Sequence, residues 1–120
     1  MVVDAANVVG SRPDGWWRDR AAAADRLVND LRRLAWSGEV VVVLEGAARA
    51  GVEPAAHGGL TVVHAPGSGD DEIVRLVGSA LETDPDASVT VVTSDRELRR
   101  RVQELGAVTH GPGWLWQQLR

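Results

Sequence analysis

Apolar residues fall along this chain in two rhythms. Met1 to Ala5 interrupted only by Asp4, Glu39 to Leu44 (EVVVVL), Leu60 to Val63, and Val89 to Val92 with only Thr90 between are short, β-branched runs. They predict strands buried on both faces. Between them the apolar positions recur every three or four residues. Trp17, Ala21, Ala24, Val28, Leu31 and Ala35 predict a helix from Trp17 to Ala35. Ile73, Leu76, Val77 and Ala80 predict one over about Asp70 to Leu81, and Leu98, Val102 and Leu105 predict another that Gly106 ends. Ala107 to Thr109 is a short fifth strand, and Pro112 starts a last helix carrying Trp114, Leu115, Trp116 and Leu119. Asn7 and the segment Ser11 to Gly15 read as a loop after the first strand, and Ala47 to Gly59 as a helical turn and a loop. Strands alternating with helices in this way predict an α/β fold. It is a three-layer sandwich with a mainly parallel central sheet of about five strands, helices on both faces, and the first strand in the middle.

That architecture gathers acids. In a right-handed, doubly wound sheet the carboxyl ends of the strands share one edge, which is where such sheets bind ligands. Asp4 ends the first strand, Asp70 and Asp71 open the helix after the third and its Ala65-to-Gly69 hinge, and Asp95 follows the fourth. A group of carboxylates on one edge repels itself unless a hard cation is held there. Mg²⁺ or Mn²⁺ suits it, because such ions take oxygen ligands, keep several waters and bind through one or two carboxylates plus phosphate oxygens.

Each acid also has a structural explanation. Asp95 could stabilise a helix N-terminus, although Ser94, three residues before Glu97, has the spacing of the capping box that would free it. Asp70 or Asp71 could cap a helix, and as adjacent helical residues the two point about 100° apart. For a single acid, capping is the simpler account. The joint placement of Asp4, Asp70 and Asp95 reverses that preference, because capping does not call for an acid buried after an internal strand. Glu45 also ends a strand, where an edge position would leave it facing solvent.

Composition narrows the chemistry. With 120 residues and 44% hydrophobic content, residues 1 to 120 are expected to form a single domain. There is no cysteine, and all 13 basic residues are arginine, which removes thiolate, Schiff-base and Walker-type phosphate-loop chemistry. The net charge of -4 does not suggest a bulk polyanion binder, but local arginines can still meet phosphates. Among Arg96, Arg99, Arg100 and Arg101, Arg96 lies in the first turn beside the proposed cation and is the candidate phosphate contact. Arg12 and Trp16 lie in or beside the loop after Asp4, a combination able to bind phosphate and stack a base. In a chain without Phe or Tyr, packing is the favoured role of Trp17, Trp36, Trp114 and Trp116. His57, His64 and His110 have no metal-ligand spacing. No basic leader and no apolar run of membrane-spanning length is present, so a cytoplasmic location without a membrane partner is expected.

Several enzyme classes are disfavoured. Ala5-Ala6 after Asp4 leaves no D-x-D pair for a haloacid-dehalogenase phosphatase, and both that class and receiver domains want a lysine. There is no G-x-S-x-G, and Gly67-Ser68-Gly69 lacks the third glycine of a dinucleotide loop.

The segments Val2 to Gly10 (VVDAANVVG), Gly69 to Val77 (GDDEIVRLV) and Val91 to Ala107 (VVTSDRELRRRVQELGA) together resemble the NYN domains of the PIN-like nuclease superfamily, specifically the YacP-like bacterial branch. The resemblance runs through nearly the whole chain in order. It implies a PIN-like fold and a Mg²⁺- or Mn²⁺-dependent endoribonuclease that cuts RNA phosphodiesters with metal-activated water. Asp4, Asp70 and Asp95 match the metal-binding acids, with Asp71 as an additional candidate, and Asn7 matches the accompanying asparagine. Asn7, Ser94, Arg96, Arg12 and Trp16 form the expected substrate-binding set. The family's Gly-Tyr between the first Asp and Asn is Ala5-Ala6 here, which removes an aromatic from the site. The alternatives are an inactive RNA-binding or regulatory module of the same fold, and a metal-dependent phosphatase of small esters. The oligomeric state, whether monomer or weak homodimer, is left open.

Overall fold

The computed structural model describes all residues from 1 to 120. Six strands form one sheet: β1 Val2–Asp4, β2 Val40–Leu44, β3 Ala55–His57, β4 Leu60–His64, β5 Thr90–Val92 and β6 Val108–His110. Their order is β3-β4-β2-β1-β5-β6. Every neighbouring pair is parallel except β3 with β4. The opening strand is therefore internal, as its position in the chain predicts. Five helices accompany the sheet: α1 Ala5–Gly10, α2 Arg20–Arg32, α3 Gly69–Thr83, α4 Arg96–Leu105 and α5 Pro112–Gln118.

Side-chain alternation along the strands divides the core into two layers. Val3, Val42, Leu44 and Val92 pack with Val8 of α1, Leu27, Val28 and Leu31 of α2, and Leu115 of α5. Val2, Val43 and Val91 pack on the opposite side with Ile73 and Val77 of α3 and Leu98 and Val102 of α4. The same parity sets Asp4. It pairs in register with Val43, so its side chain leaves the sheet on the side of α3 and α4.

Four sequence expectations need correction. The sheet has a sixth strand, β3, within the stretch read as turn and loop. All three of its residues are exposed, so no buried alternation marks it. Gly58 and Gly59 both have positive φ and form the tight hairpin turn into β4. The loop expected after β1 begins instead as α1, because the Asp4 side chain caps it from inside the strand end. The Trp17-to-Ala35 helix contracts to α2, with a separate 3-10 turn at Trp16–Arg18 and Asp19 as its cap. Finally, Trp17, at 53%, and Leu105, at 44%, are largely exposed rather than packed, and Ala80 is exposed too. Trp36, Trp114 and Trp116 do pack against the core. No helix is long and apolar enough to cross a membrane.

Candidate metal and active site

Asp4 is 3% exposed and sits at the carboxyl end of the central strand. A buried carboxylate is tolerable only when it is hydrogen-bonded. Oδ2 accepts from Thr93 Oγ1 and from Asn7 Nδ2, each at 2.8 Å. Oδ1 receives only a long contact from the Asn7 backbone N–H, at 3.5 Å. Thr93 Oγ1 also accepts from the Asp95 backbone N–H at 3.1 Å, and Ser94 Oγ donates to Asn7 Oδ1 at 2.6 Å. One network thus ties the turn after β1 to the turn after β5.

Asp95 stands beside it, and its placement corrects the capping assignment. Asp95, not Ser94, is the N-cap of α4: Oδ1 accepts from Leu98 N–H at 2.8 Å. Ser94 is freed from that duty and binds Asn7. The cap engages one Asp95 oxygen only, so the structural and ligand readings coexist on the same carboxylate.

Asp70 enters from α3, whose own cap is Ser68 accepting from Asp71 N–H. Burial raises the pKa of Asp70, and the charges of Asp4, Asp95 and Glu45 raise it further, while Arg101 opposes them. Asp70 is therefore the acid that feels all the others. Burial likewise raises Asp4 against the lowering pull of its Thr93 and Asn7 hydrogen bonds, with Glu45 adding to the rise. Asp71 points elsewhere: it is 75% exposed and pairs with Arg101 at 3.0 Å.

Two contributors were underweighted by the sequence. Glu45 does not face solvent at a sheet edge, since β2 lies between β4 and β1. Its Oε2 accepts from the Gly69 N–H at 2.9 Å, which fixes it at the start of α3. A Cβ at Gly69 would meet Glu45 Oε1 at 3.0 Å, so glycine is what permits this approach. Thr93 is fully buried and connects Asp4 to the Asp95 backbone. Its β-branched side chain directly after a Val-Val strand gave no chemical signal of its own.

The remaining candidates separate. Arg96 is exposed at the first position of α4 with no acidic partner, whereas Arg100 is locked between Glu97 and Glu104 and Arg99 donates to Thr109. Arg12 lies over the Trp116 ring at 3.7 Å, and Trp116 donates to Ser11. That stacking holds Arg12 against α5. Trp16 lines a cavity together with Ala5 and Glu45.

No group of three acids or histidines is arranged so that together they could hold a metal ion. The carboxylates nevertheless supply the oxygen donors that a hard divalent cation takes. Asp4 and Asp95 each commit one oxygen to short hydrogen bonds within the protein, leaving Asp4 Oδ1 weakly engaged and Asp95 Oδ2 open. An open arrangement of this kind suits Mg²⁺ or Mn²⁺, which bind through few carboxylates and complete their shells with water.

No family model matches the sequence. A comparison with curated proteins also finds no match. Solved structures do match. The crystal structure of Rae1 (YacP) from Bacillus subtilis superposes with a TM-score of 0.80 at 18% identity, over 98% of this chain and 71% of that one. A point mutant of the same protein gives a TM-score of 0.75 at 20% identity, over 98% and 72%. The chain thus shares the fold of a YacP-type NYN protein, the fold its motifs suggest.

Proposed function

We propose that this protein is a Mg²⁺- or Mn²⁺-dependent endoribonuclease that hydrolyses RNA phosphodiesters at the Asp4, Asp70 and Asp95 edge. The observation that carries the reading is that Asp4 and Asp95, at the carboxyl ends of the neighbouring strands β1 and β5, each keep one oxygen free of a short hydrogen bond. Asp4, Asp70 and Asp95 hold the cation, and Glu45 adds its negative charge beside Asp70. Bound there, the ion supplies a water activated at neutral pH and offsets the charge on the phosphate and leaving oxygen.

The chain's own residues prepare that site. Thr93 and Asn7 donate to Asp4 Oδ2 and so oppose the rise in its pKa that burial causes. Leu98 N–H fixes the Asp95 carboxylate. Arg101 limits the repulsion felt by Asp70. Arg96, exposed and without an acidic partner at the mouth of α4, is the phosphate contact, and Asn7 with Ser94 orients the substrate beside Asp4. A cysteine-free chain with RNA as its partner fits the cytoplasm.

The test is cleavage of a labelled single-stranded RNA with Mn²⁺, with EDTA as the blank and nitrophenyl phosphate in parallel. Internal cuts in RNA that require the metal support the proposal. Hydrolysis of the small ester alone would convert it to a phosphatase. RNA binding without turnover would convert it to a binding module.

A further inference from the structure

A cavity of about 210 Å³ opens on the α1 and α2 side of the sheet, next to Ala5 and Glu45, and the catalytic account above uses only Glu45 of its walls. Its walls are Ala5, Ala6 and Val9 of α1, Trp16 of the 3-10 turn, Arg20 of α2, and Glu45 at the end of β2. Most of this lining is apolar, with two polar groups at defined places, the usual make-up of a small-ligand site. The volume lies below the range that holds drug-sized ligands, which limits the occupant to a single flat ring system.

Trp16 is not accounted for by packing. Trp36, Trp114 and Trp116 all rest against the hydrophobic core, but Trp16 does not: it stands beside Gly10 of α1 and Trp17 edge-on, with the Arg20 guanidinium over its ring, 5.3 Å from the centroid. Arg20 has no acidic partner. Glu45 contributes an oxygen, Oε1, that accepts no hydrogen bond within the protein. The site therefore combines an indole face, an available cation and an acceptor-only edge. It is joined to the acid cluster through the Asp4-Ala5 peptide and through Glu45 itself.

We propose that this cavity is a nucleobase subsite: one unstacked base of the RNA, adjoining the phosphate at the acid edge, stacks on Trp16, with Glu45 Oε1 accepting from its exocyclic amino group and Arg20 facing its phosphate. The role assigned to RNA rests on the proposed ribonuclease activity. A base offers a flat apolar face and a polar edge, and stacking on an aromatic ring tolerates any sequence. Because Glu45 presents only an acceptor, bases that carry an amino group, adenine, cytosine and guanine, bind in preference to uracil.

The experiment uses the metal-free protein in EDTA, titrated with AMP, CMP, UMP and ribose 5-phosphate. The indole N–H signal of Trp16 and the tryptophan fluorescence are followed in wild type, Trp16→Ala and Ala6→Leu, the second variant filling the cavity while keeping the indole. AMP and CMP are expected to shift the Trp16 signal, UMP less so and ribose 5-phosphate not at all, with Ala6→Leu losing that shift and both variants losing the fluorescence response. A short RNA should bind Trp16→Ala roughly 5- to 150-fold more weakly than wild type. Equal binding of ribose 5-phosphate and AMP, or wild-type responses in both folded variants, would overturn the subsite. Wild-type cleavage of the same RNA with Mn²⁺ separates the two claims. Cleavage without nucleotide binding sinks the subsite alone, and nucleotide binding without cleavage supports the subsite while sinking the nuclease reading.

Discussion

Replacing Thr93 by valine is the sharpest perturbation of the network, because it preserves shape and removes one oxygen. That oxygen makes two bonds in a fully buried setting, donating to Asp4 Oδ2 at 2.8 Å and accepting from the Asp95 N–H at 3.1 Å. The first is charge-assisted and contributes about 1.5–3 kcal/mol; the second, once lost, leaves a part-buried N–H without a partner at about 1 kcal/mol or more. Thr93→Val should therefore cost about 2–4 kcal/mol at pH 7. In a domain of this size that is a fall in Tm of roughly 8–16 °C. The cost also depends on pH. The Thr93 hydrogen bond lowers the Asp4 pKa against burial, so removing it raises the folded pKa further above the unfolded value. A carboxyl raised in the folded state destabilises the fold once it ionises, so stability falls as pH rises through the window between the unfolded and folded pKa. The deficit of the variant should thus be largest above the folded pKa of Asp4 and shrink as acid protonates Asp4, leaving mainly the Asp95 N–H contribution. Urea unfolding in EDTA, followed by circular dichroism at several pH values, measures this. A deficit below about 0.5 kcal/mol, or one that does not change with pH, would refute the reasoning.

Asp70→Asn removes the acid that burial and three like charges hold protonated to higher pH. The metal-free variant should be more stable than wild type at pH 7, by no more than about 1 kcal/mol after allowing for solvent screening of a partly exposed group. The gain should fade as pH falls toward the unfolded pKa, and millimolar Mn²⁺ should reverse the order, since only wild type gains binding energy; thermal melts with EDTA and with Mn²⁺ check both. Gly51→Ala would place a Cβ 1.9 Å from the Ala21 carbonyl oxygen, a backbone atom that cannot swing aside. It should destabilise by about 1–3 kcal/mol in urea unfolding while leaving Mn²⁺ affinity unchanged in the folded protein.

The sequence made the frame and the acid edge readable for one physical reason. Buried parallel strands are unbroken apolar runs, and the polar residues that follow such a run lie at the carboxyl edge of the sheet, as Asp4 and Asp95 do. What escaped it depended on contacts between segments or on elements without a buried face. Strand β3 is exposed at all three positions, so no alternation records it. Helix α1 is six residues long and starts inside the strand end, capped by the same carboxylate proposed to bind metal. Ser94 and Asp95 are both good caps, and the choice between them was made by Asn7, 87 positions away from Ser94, which takes the serine hydroxyl. Glu45 looked peripheral because strand order is not written in any one strand. The chain returns from β4 to pair beside β2, which makes β2 internal and turns its terminal acid toward Gly69.

The central claim is that Asp4 and Asp95 hold a divalent cation for RNA hydrolysis, and single-turnover cleavage of a labelled RNA across a Mn²⁺ titration tests it most directly. Wild type is compared with Asp4→Asn and Asp95→Asn, and asparagine at position 95 preserves the α4 cap. The account predicts metal-dependent internal cleavage by wild type and loss of at least about 100-fold in rate for either variant, with circular dichroism unchanged. Wild-type rates in the folded variants, or cleavage that persists in EDTA, would contradict it.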